Sequence, residues 1–434
     1  MRGRREKTRP TTEDRVDPTA ASPNTASANV ALRVQKYGGT SVGSLERIRH
    51  VARRIAGARR AGHDVVVVVS AMSGETDRLL SLGRELSSHA PEREMDVLVA
   101  SGEQVSAALL CIALSDLGVE AVSLLGHQAR IETDSVHTKA RIARVDDQRL
   151  REALVAGRVV VVAGFQGTDA QGNITTLGRG GSDTSAVAIA AAVGAEVCEI
   201  YTDVEGVFTA DPGVCPTARK VSHISYEEML ELSALGAKVL QPRSVELAMK
   251  YGVKVHVRSS FSEAEGTMVT GEEEALESVV VAGVTCDRDA AKVTLRSVPD
   301  QPGVCAAIFE PLAEENISVD MIIQNVAVDG TTDLTFTVSR GDLERTREVA
   351  ARIAGELDSD LLGFDEDVVK VSIVGLGMRS HAGVAAKMFR LLATEGINIE
   401  AISTSEIKTS CLIRAKYAEL AVRVLHDGFG LGGP

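Results

Sequence analysis

The sequence has no excess of basic residues: 47 Lys and Arg stand against 60 Asp and Glu, a formal charge of −13. Nucleic acids and anionic membrane surfaces are met by basic patches, so this balance argues against either as a partner. Its six cysteines, at positions 111, 198, 215, 286, 305 and 411, show no CxxC pair and no tight spacing. Neither a zinc motif nor a disulfide framework is indicated, which implies a reducing cytoplasm. His63, His127, His137 and His223 fall at no metal-ligand spacing and read as structural, so no protein-held metal is expected. No apolar run approaches the ~20 residues of a membrane span, and Val65 to Val69 reads as a buried parallel strand. The phosphate motif GxxxxGK[ST] is missing. The only GxGxxG-like run, Gly428 to Gly433, has no helix behind it and reads as a flexible tail. No Ser-His-Asp or Cys-His arrangement is evident.

What is present begins with size: 434 residues, 44% of them hydrophobic, suit two or three domains. Residues 1 to 31 are rich in Arg, Thr, Ser, Ala, Pro and Asn without apolar periodicity, and read as disordered. Arg4-Arg5 is not followed by an apolar segment, which excludes an export signal. From Leu32 to about Phe261, strand-like runs (Val34, Val65 to Val69, Val119 to Leu124, Val159 to Ala163, Glu196 to Tyr201) alternate with helical ones. That alternation predicts an α/β domain over residues 32 to 270, a mainly parallel sheet sandwiched by helices. Ligands of such sheets lie beyond the carboxyl ends of the strands.

Two glycine-bearing loops fall there: VQKYGGTSV, Val34 to Val42, and TTLGRGGSDTSA, Thr175 to Ala186, taken to follow Val159 to Ala163. Gly38-Gly39 and Gly180-Gly181 let backbone N–H groups point outward, and each loop opens a helix whose N-terminus favours an anion. Lys36 puts an ammonium beside this cradle, where the charge of a transferring phosphoryl group must be neutralised. Ser70, ending the valine strand, either meets a ligand or caps the next helix; Thr76 shares that stretch. Glu103 reads as lying in the first turn of an amphipathic helix, where a carboxylate either suits the dipole or pairs with an amino acid's ammonium. Arg179, between Gly178 and Gly180, has the fork for a carboxylate, with Ser182 and Asp183 organising the loop. Thr202, Asp203 and Asp211 follow the strand ending at Tyr201, at the ligand edge.

The acidic run Gly271 to Glu277 reads as a linker. Beyond it Gly303, Val304, Phe309, Leu312, Ala313, Glu315, Ile317 and Ile322 recur at a constant offset as Gly383, Val384, Phe389, Leu392, Ala393, Glu395, Ile397 and Ile402. The period fits a duplicated small domain, with modules at 279 to 360 and 361 to 428.

The two loops resemble those of the amino-acid kinase superfamily, VQKYGGTSV being similar to the N-terminal signature of aspartate kinases, and the duplicated part resembles tandem ACT domains, ferredoxin-like α+β modules that bind amino acids. The resemblance implies ATP-dependent phosphorylation of the L-aspartate side chain, the entry step to lysine, threonine and methionine synthesis, with Mg²⁺ held by the nucleotide. It implies ATP contacts from Lys36, Tyr37, Gly38, Gly39 and Ser70, and an adenine and ribose site in TDVEGVFTADP (Thr202, Asp203, Phe208, Asp211) continued by Lys238. Substrate contacts are implied for Thr76, Glu103, Arg179, Gly180, Gly181 and Ser182, and phosphoryl-transfer roles for Lys36 and Asp183. An effector pocket for lysine and threonine is implied at Asp300, Pro302, Gly303, Gln324 and Asn325 and, in the second copy, Ser380, His381, Asn398 and Ile399. Three positions depart from the family pattern: Gly213 where an arginine follows ADP, Ala382 where proline is common, and Thr409 where an apolar residue is common. Family members open a few residues before KxGGT, so Val30 is the expected start of translation. A homo-oligomer, or a hetero-oligomer with a separately made ACT subunit, is implied. Two other readings stay open: a superfamily kinase for glutamate, acetylglutamate or UMP, and a non-enzymatic amino-acid sensor.

Overall fold

A computed structural model describes residues 31–237, 239–271, 280–325, 330–357 and 361–433. The expectations for residues 1 to 30, Lys238 and most of the acidic run lie outside them.

The N-terminal part runs β1 (Leu32–Tyr37), α1 (Leu45–Arg60), β2 (Asp64–Val69), α2 (Glu75–Leu86), α3 (Glu92–Asp116), β3 (Ala121–Leu124), β4 (Ile131–Thr133), β5 (Ile142–Val145) and α4 (Gln148–Val155). It continues with β6 (Val159–Ala163), β7 (Gln166–Thr168), β8 (Ile174–Thr176), α5 (Gly181–Val193), β9 (Val197–Thr202), β10 (His223–Ser225), α6 (Tyr226–Ala234), α7 (Pro242–Tyr251), β11 (Val255–Ser259) and β12 (Thr267–Thr270). Eight strands form one sheet in the order β10-β12-β11-β9-β1-β2-β6-β3, all neighbours parallel except β11 and β12. The valine-rich centre follows from burial on both faces: Val65 to Val69 and Val159 to Val162 are all fully buried.

Strand parity divides the core. Val34, Val66, Val68, Val160 and Val162 pack with Ala186 and Ile189 of α5, whereas Tyr37, Val65, Val67 and Val69 pack with Ile48 and Ile55 of α1 and Leu110 of α3. Two expectations are corrected here. β7 and β8 form an antiparallel hairpin between β6 and the second glycine loop, so that loop does not follow Ala163 directly. α3 also begins eleven residues before Glu103; by length and apolar composition it could cross a membrane, although Val99, Ala107, Leu110 and Leu114 are buried on the sheet.

The C-terminal part comprises β13 (Gly283–Asp287), β14 (Ala290–Pro299), α8 (Val304–Glu314), β15 (Val319–Gln324), β16 (Thr331–Ser339), α9 (Leu343–Glu356), β17 (Leu361–Asp365), β18 (Val368–Val374), α10 (Val384–Thr394), β19 (Ala401–Thr404), β20 (Lys408–Arg414) and α11 (Ala418–Gly428). Its two antiparallel sheets have the orders β15-β16-β14-β17 and β13-β18-β20-β19. Strand β13 therefore joins the second module's sheet and β17 the first, so a cut at 360/361 does not fall between sheets. The modules meet through Ala290, Met321, Val368, Ala401 and Leu412, flanked by reciprocal ion pairs, Lys292 with Glu400 and Lys370 with Asp320. That reciprocity is what duplication about a local two-fold produces. The C-terminal glycine run is no loose tail: Leu431 is 2% exposed, and Gly432 bridges to Ala218 of the N-terminal part.

Candidate active site

Register brings the loops together. Tyr37 aligns with both Val69 and Tyr201, and Val69 with Ala163, so β1, β2, β6 and β9 end at one level. The first residue beyond each strand is tied to its neighbour: Gly38 N donates to Tyr201 O at 3.2 Å, Ser70 N to Tyr37 O at 3.1 Å and Gly164 N to Val69 O at 3.0 Å.

The same parity that sends Val34 toward α5 sends Lys36 there, and its Nζ lies 2.6 Å from Asp183 Oδ1. The two side chains are 12% and 9% exposed, so the pair is largely desolvated. Asp183 sits in the first turn of α5, and no side chain caps that helix at Gly180. Gly181 N and Asp183 N already donate to Gly178 O at 3.0 Å and Gly180 O at 3.1 Å, so what the helix start offers an anion beside the lysine is chiefly the positive end of its dipole. Ser182 is buried, close to where a Cβ on Gly164 would stand. The β1 loop presses on the β2 loop, since a Cβ on Gly39 would come within 2.9 Å of Ala71 O.

Glu103 joins this cluster from the middle of α3. Its Oε1 accepts a hydrogen bond from Ala71 N at 3.0 Å, while Oε2 is buried without a partner. Burial pushes its carboxyl up to about 7, against the lesser pull of the Ala71 amide. A carboxylate kept from water with one oxygen unpaired is a receptor for a cation. The first-turn dipole explanation for Glu103 therefore fails. Ser70 caps no helix, since Gly74 opens α2. Thr76, in the first turn of α2, is part-buried.

The second loop is positioned by side chains the sequence did not single out. Arg243, just inside α7, donates to Leu177 O at 2.6 Å and Ala140 O at 2.9 Å. Asp96 is fully buried and accepts from Thr176 Oγ1 at 2.5 Å and from Thr138 N at 3.1 Å, with His137 Nδ1 at 2.7 Å. Gly180 has φ +72° and packs on Gln241, whose Cγ would lie 1.7 Å from an added Cβ. Arg179 is exposed between Gly178 and Gly180, both at positive φ. The only hint of Asp96 in the sequence is a charge within the apolar stretch EMDVLVA; a contact eighty residues away has no local signature.

Not every anticipated residue comes to this edge with its side chain. Tyr37 is fully buried on the α1 face, stacked on Tyr201 at 4.8 Å with its hydroxyl on Gln35, so it offers a nucleotide only backbone. Thr202 ends β9 and donates to Asp203 at 3.2 Å. Phe208 bridges to Lys220, and Asp211 accepts from Gly213 N at 2.8 Å within its own turn. The neighbouring Thr209 bonds Leu431 O and contacts His426, so this stretch holds the C-terminal part.

In the C-terminal modules Gly303 and Gly383 open α8 and α10 with φ +97° and +90° and no side-chain cap. Asp300 N donates to Gly330 O at 2.9 Å in the loop before α8, which also carries Pro302. Cys305 Sγ reaches Gln324 Oε1 at 3.3 Å, placing that helix start beside the end of β15, which Asn325 follows. Ser380 and His381 fold onto Gly377 O. Asn398 and Ile399 precede β19 rather than ending it; the counterpart of Gln324 is Thr404.

The amino acid kinase family model matches residues 31–259, and ACT domain models match residues 293–357 and 371–429. The aspartate kinase of Pseudomonas putida is 56% identical over 406 residues, covering 93% of this chain and 99% of that one. The aspartokinase of Helicobacter pylori J99 is 52% identical over 404 residues, covering 92% and 99%. The solved structure of E. coli aspartokinase III in complex with aspartate and ADP has a TM-score of 0.76 at 27% identity and covers 92% of this chain and 99% of that one. The chain belongs to the amino acid kinase family, as one of its aspartate kinases with ACT domains.

Proposed function

We propose that this chain transfers the γ-phosphoryl group of ATP to the side-chain carboxylate of L-aspartate, giving 4-phospho-L-aspartate and ADP. The observation that carries this is a desolvated lysine beside the start of α5, with a buried carboxylate, one oxygen unpaired, held by the Ala71 amide in the loop that touches Gly39. The first pair suits phosphate, the second an α-ammonium.

The acceptor has an ordinary pKa near ~3.9, so it is a nucleophile at neutral pH and needs no general base. Its oxygen bonds to the γ-phosphorus as the bond from that phosphorus to the β-phosphate oxygen breaks, and ADP leaves. Lys36 and the positive end of α5 face the equatorial charge of the transferring group, while Glu103 holds the ammonium and Arg179 the α-carboxylate. Asp183 is a positioning residue that fixes Lys36 until phosphate competes for it. Mg²⁺ brought in by the nucleotide would supply further charge neutralisation.

We further read residues 32 to 270 as the catalytic domain and the first ACT module as inserted between β13 and β18 of the second. Lysine and threonine are the proposed effectors, bound at the uncapped starts of α8 and α10 in a cytoplasmic oligomer. An E. coli relative was solved with lysine and aspartate, at a TM-score of 0.72 and 26% identity. Coupled ADP release with aspartate against glutamate tests the reaction: release with aspartate is expected, and release with neither amino acid would contradict it.

A further inference from the structure

The loop after β9 and the last turn of α11 bring three metal-ligating side chains together. Cys215 Sγ, His426 Nδ1 and an Asp427 carboxylate oxygen all lie within 4.8 Å of one another. Cys215 is 2% exposed and His426 is 0% exposed, while Asp427 reaches solvent. They come from opposite sides of the junction, 211 residues apart, so no spacing in the sequence could have flagged them.

The tautomer of His426 follows from its other neighbour. Thr209 Oγ1 accepts from Arg219 N at 3.1 Å and lies 3.3 Å from Leu431 O, which can only accept. With that hydroxyl donating to Leu431 O, His426 Nε2, 2.9 Å away, is the donor to Thr209 Oγ1. In that tautomer Nδ1 is a lone pair; it is buried and makes no hydrogen bond, with Asp427 Oδ1 3.6 Å away. An orphaned buried acceptor is costly unless something fills it, and an imidazole whose second nitrogen donates to an oxygen is the arrangement found at metal-ligating histidines.

We propose that Cys215, His426 and Asp427 form a site for a borderline-soft divalent transition metal, of which Zn²⁺ is the type. Thiolate, imidazole and carboxylate are its usual donors. Bond lengths of about 2.0–2.3 Å put tetrahedral ligand atoms ~3.5 Å apart; His426 Nδ1 and Asp427 Oδ1 already lie 3.6 Å apart, and what contraction remains brings in Cys215 Sγ. Water takes the fourth position on the solvent side. The frame is already rigid: Cys215 N donates to Asp211 O at 2.8 Å, Ala218 bridges to Gly432, and Leu431 N donates to His426 O at 3.1 Å. The bound metal ties the loop after β9 to the last turn of α11, and so the catalytic domain to the second ACT module.

The test is equilibrium dialysis of the full-length chain against micromolar Zn²⁺, with Co²⁺ as the spectroscopic probe. The wild-type chain is expected to retain one equivalent of Zn²⁺ and to show a thiolate-to-metal charge-transfer band with Co²⁺. Cys215→Ser should lose both, Asp427→Asn should bind more weakly, and Cys305→Ser, at an exposed cysteine outside the cluster, should behave as wild type. A Co²⁺-loaded wild type without the thiolate band, full retention by Cys215→Ser, or unchanged affinity in Asp427→Asn would each overturn the proposal. The wild-type spectrum decides even if a variant misfolds.

Discussion

Lys36 Nζ lies 2.6 Å from Asp183 Oδ1 across the end of the central strand, and both side chains are nearly out of water. In the absence of a nucleotide, the charge aimed at phosphate is held by the carboxylate at the start of α5.

Lys36→Ala should therefore lower kcat by about 10²–10³-fold, the usual cost of removing one charge-stabilising donor, with a much smaller change in aspartate KM. It leaves Asp183 buried and unpaired, so a fall in Tm should accompany it. Steady-state kinetics with a thermal scan on the same sample check both.

Arg179→Ala should raise aspartate KM with little effect on the ATP KM, because the guanidinium is exposed and assigned to the amino acid. Unchanged thermal stability should accompany the loss. A kinetic phenotype identical to that of Lys36→Ala would contradict the division of roles.

Glu103 predicts opposite pH effects on binding and stability. Its folded pKa of about 7 exceeds the ordinary 4.5, so the protonated form is favoured by folding. The stability this confers is full below 4.5 and is lost as pH rises through about 7, on the order of 3 kcal/mol across that window. Aspartate, whose ammonium needs the carboxylate, should bind better over the same rise. Glu103→Gln keeps the acceptor for Ala71 N; it should stabilise the ligand-free protein at pH 8 and raise aspartate KM at least tenfold, the scale of one lost charged hydrogen bond. Denaturant midpoints and KM across pH 5 to 8 give the answer.

Gln324→Ala should weaken inhibition by lysine plus threonine while leaving basal activity intact, since Gln324 lies at the end of β15 beside Cys305. Inhibition curves with each effector alone and both together provide the readout.

How much of this could be read from residues alone depends on the range of the interaction. The valine strands, the alanine-rich α5 and the two glycine loops are local patterns, and Lys36, Ser70 and Asp183 stand at the predicted edge. Glu103 stands out in the sequence, but its place in the middle of α3 does not, because the helix start at Glu92 lacks a side-chain cap. The hairpin β7–β8 was missed because three-residue strands carry too little periodicity. Asp96, Arg243 and Gln241 support the second loop through contacts 61 to 103 residues distant. The exchange of β13 and β17 between modules is likewise a pairing choice, invisible to an offset counted along the chain.

The most direct test of the central claim is to run the purified full-length chain with MgATP in hydroxylamine, which traps acyl phosphates as hydroxamates, while following ADP. The account predicts ADP and hydroxamate formed in equal amounts with L-aspartate, and neither above background with glutamate, acetylglutamate or UMP. ADP release with aspartate but no hydroxamate, or faster release with any of the other acceptors, would contradict it.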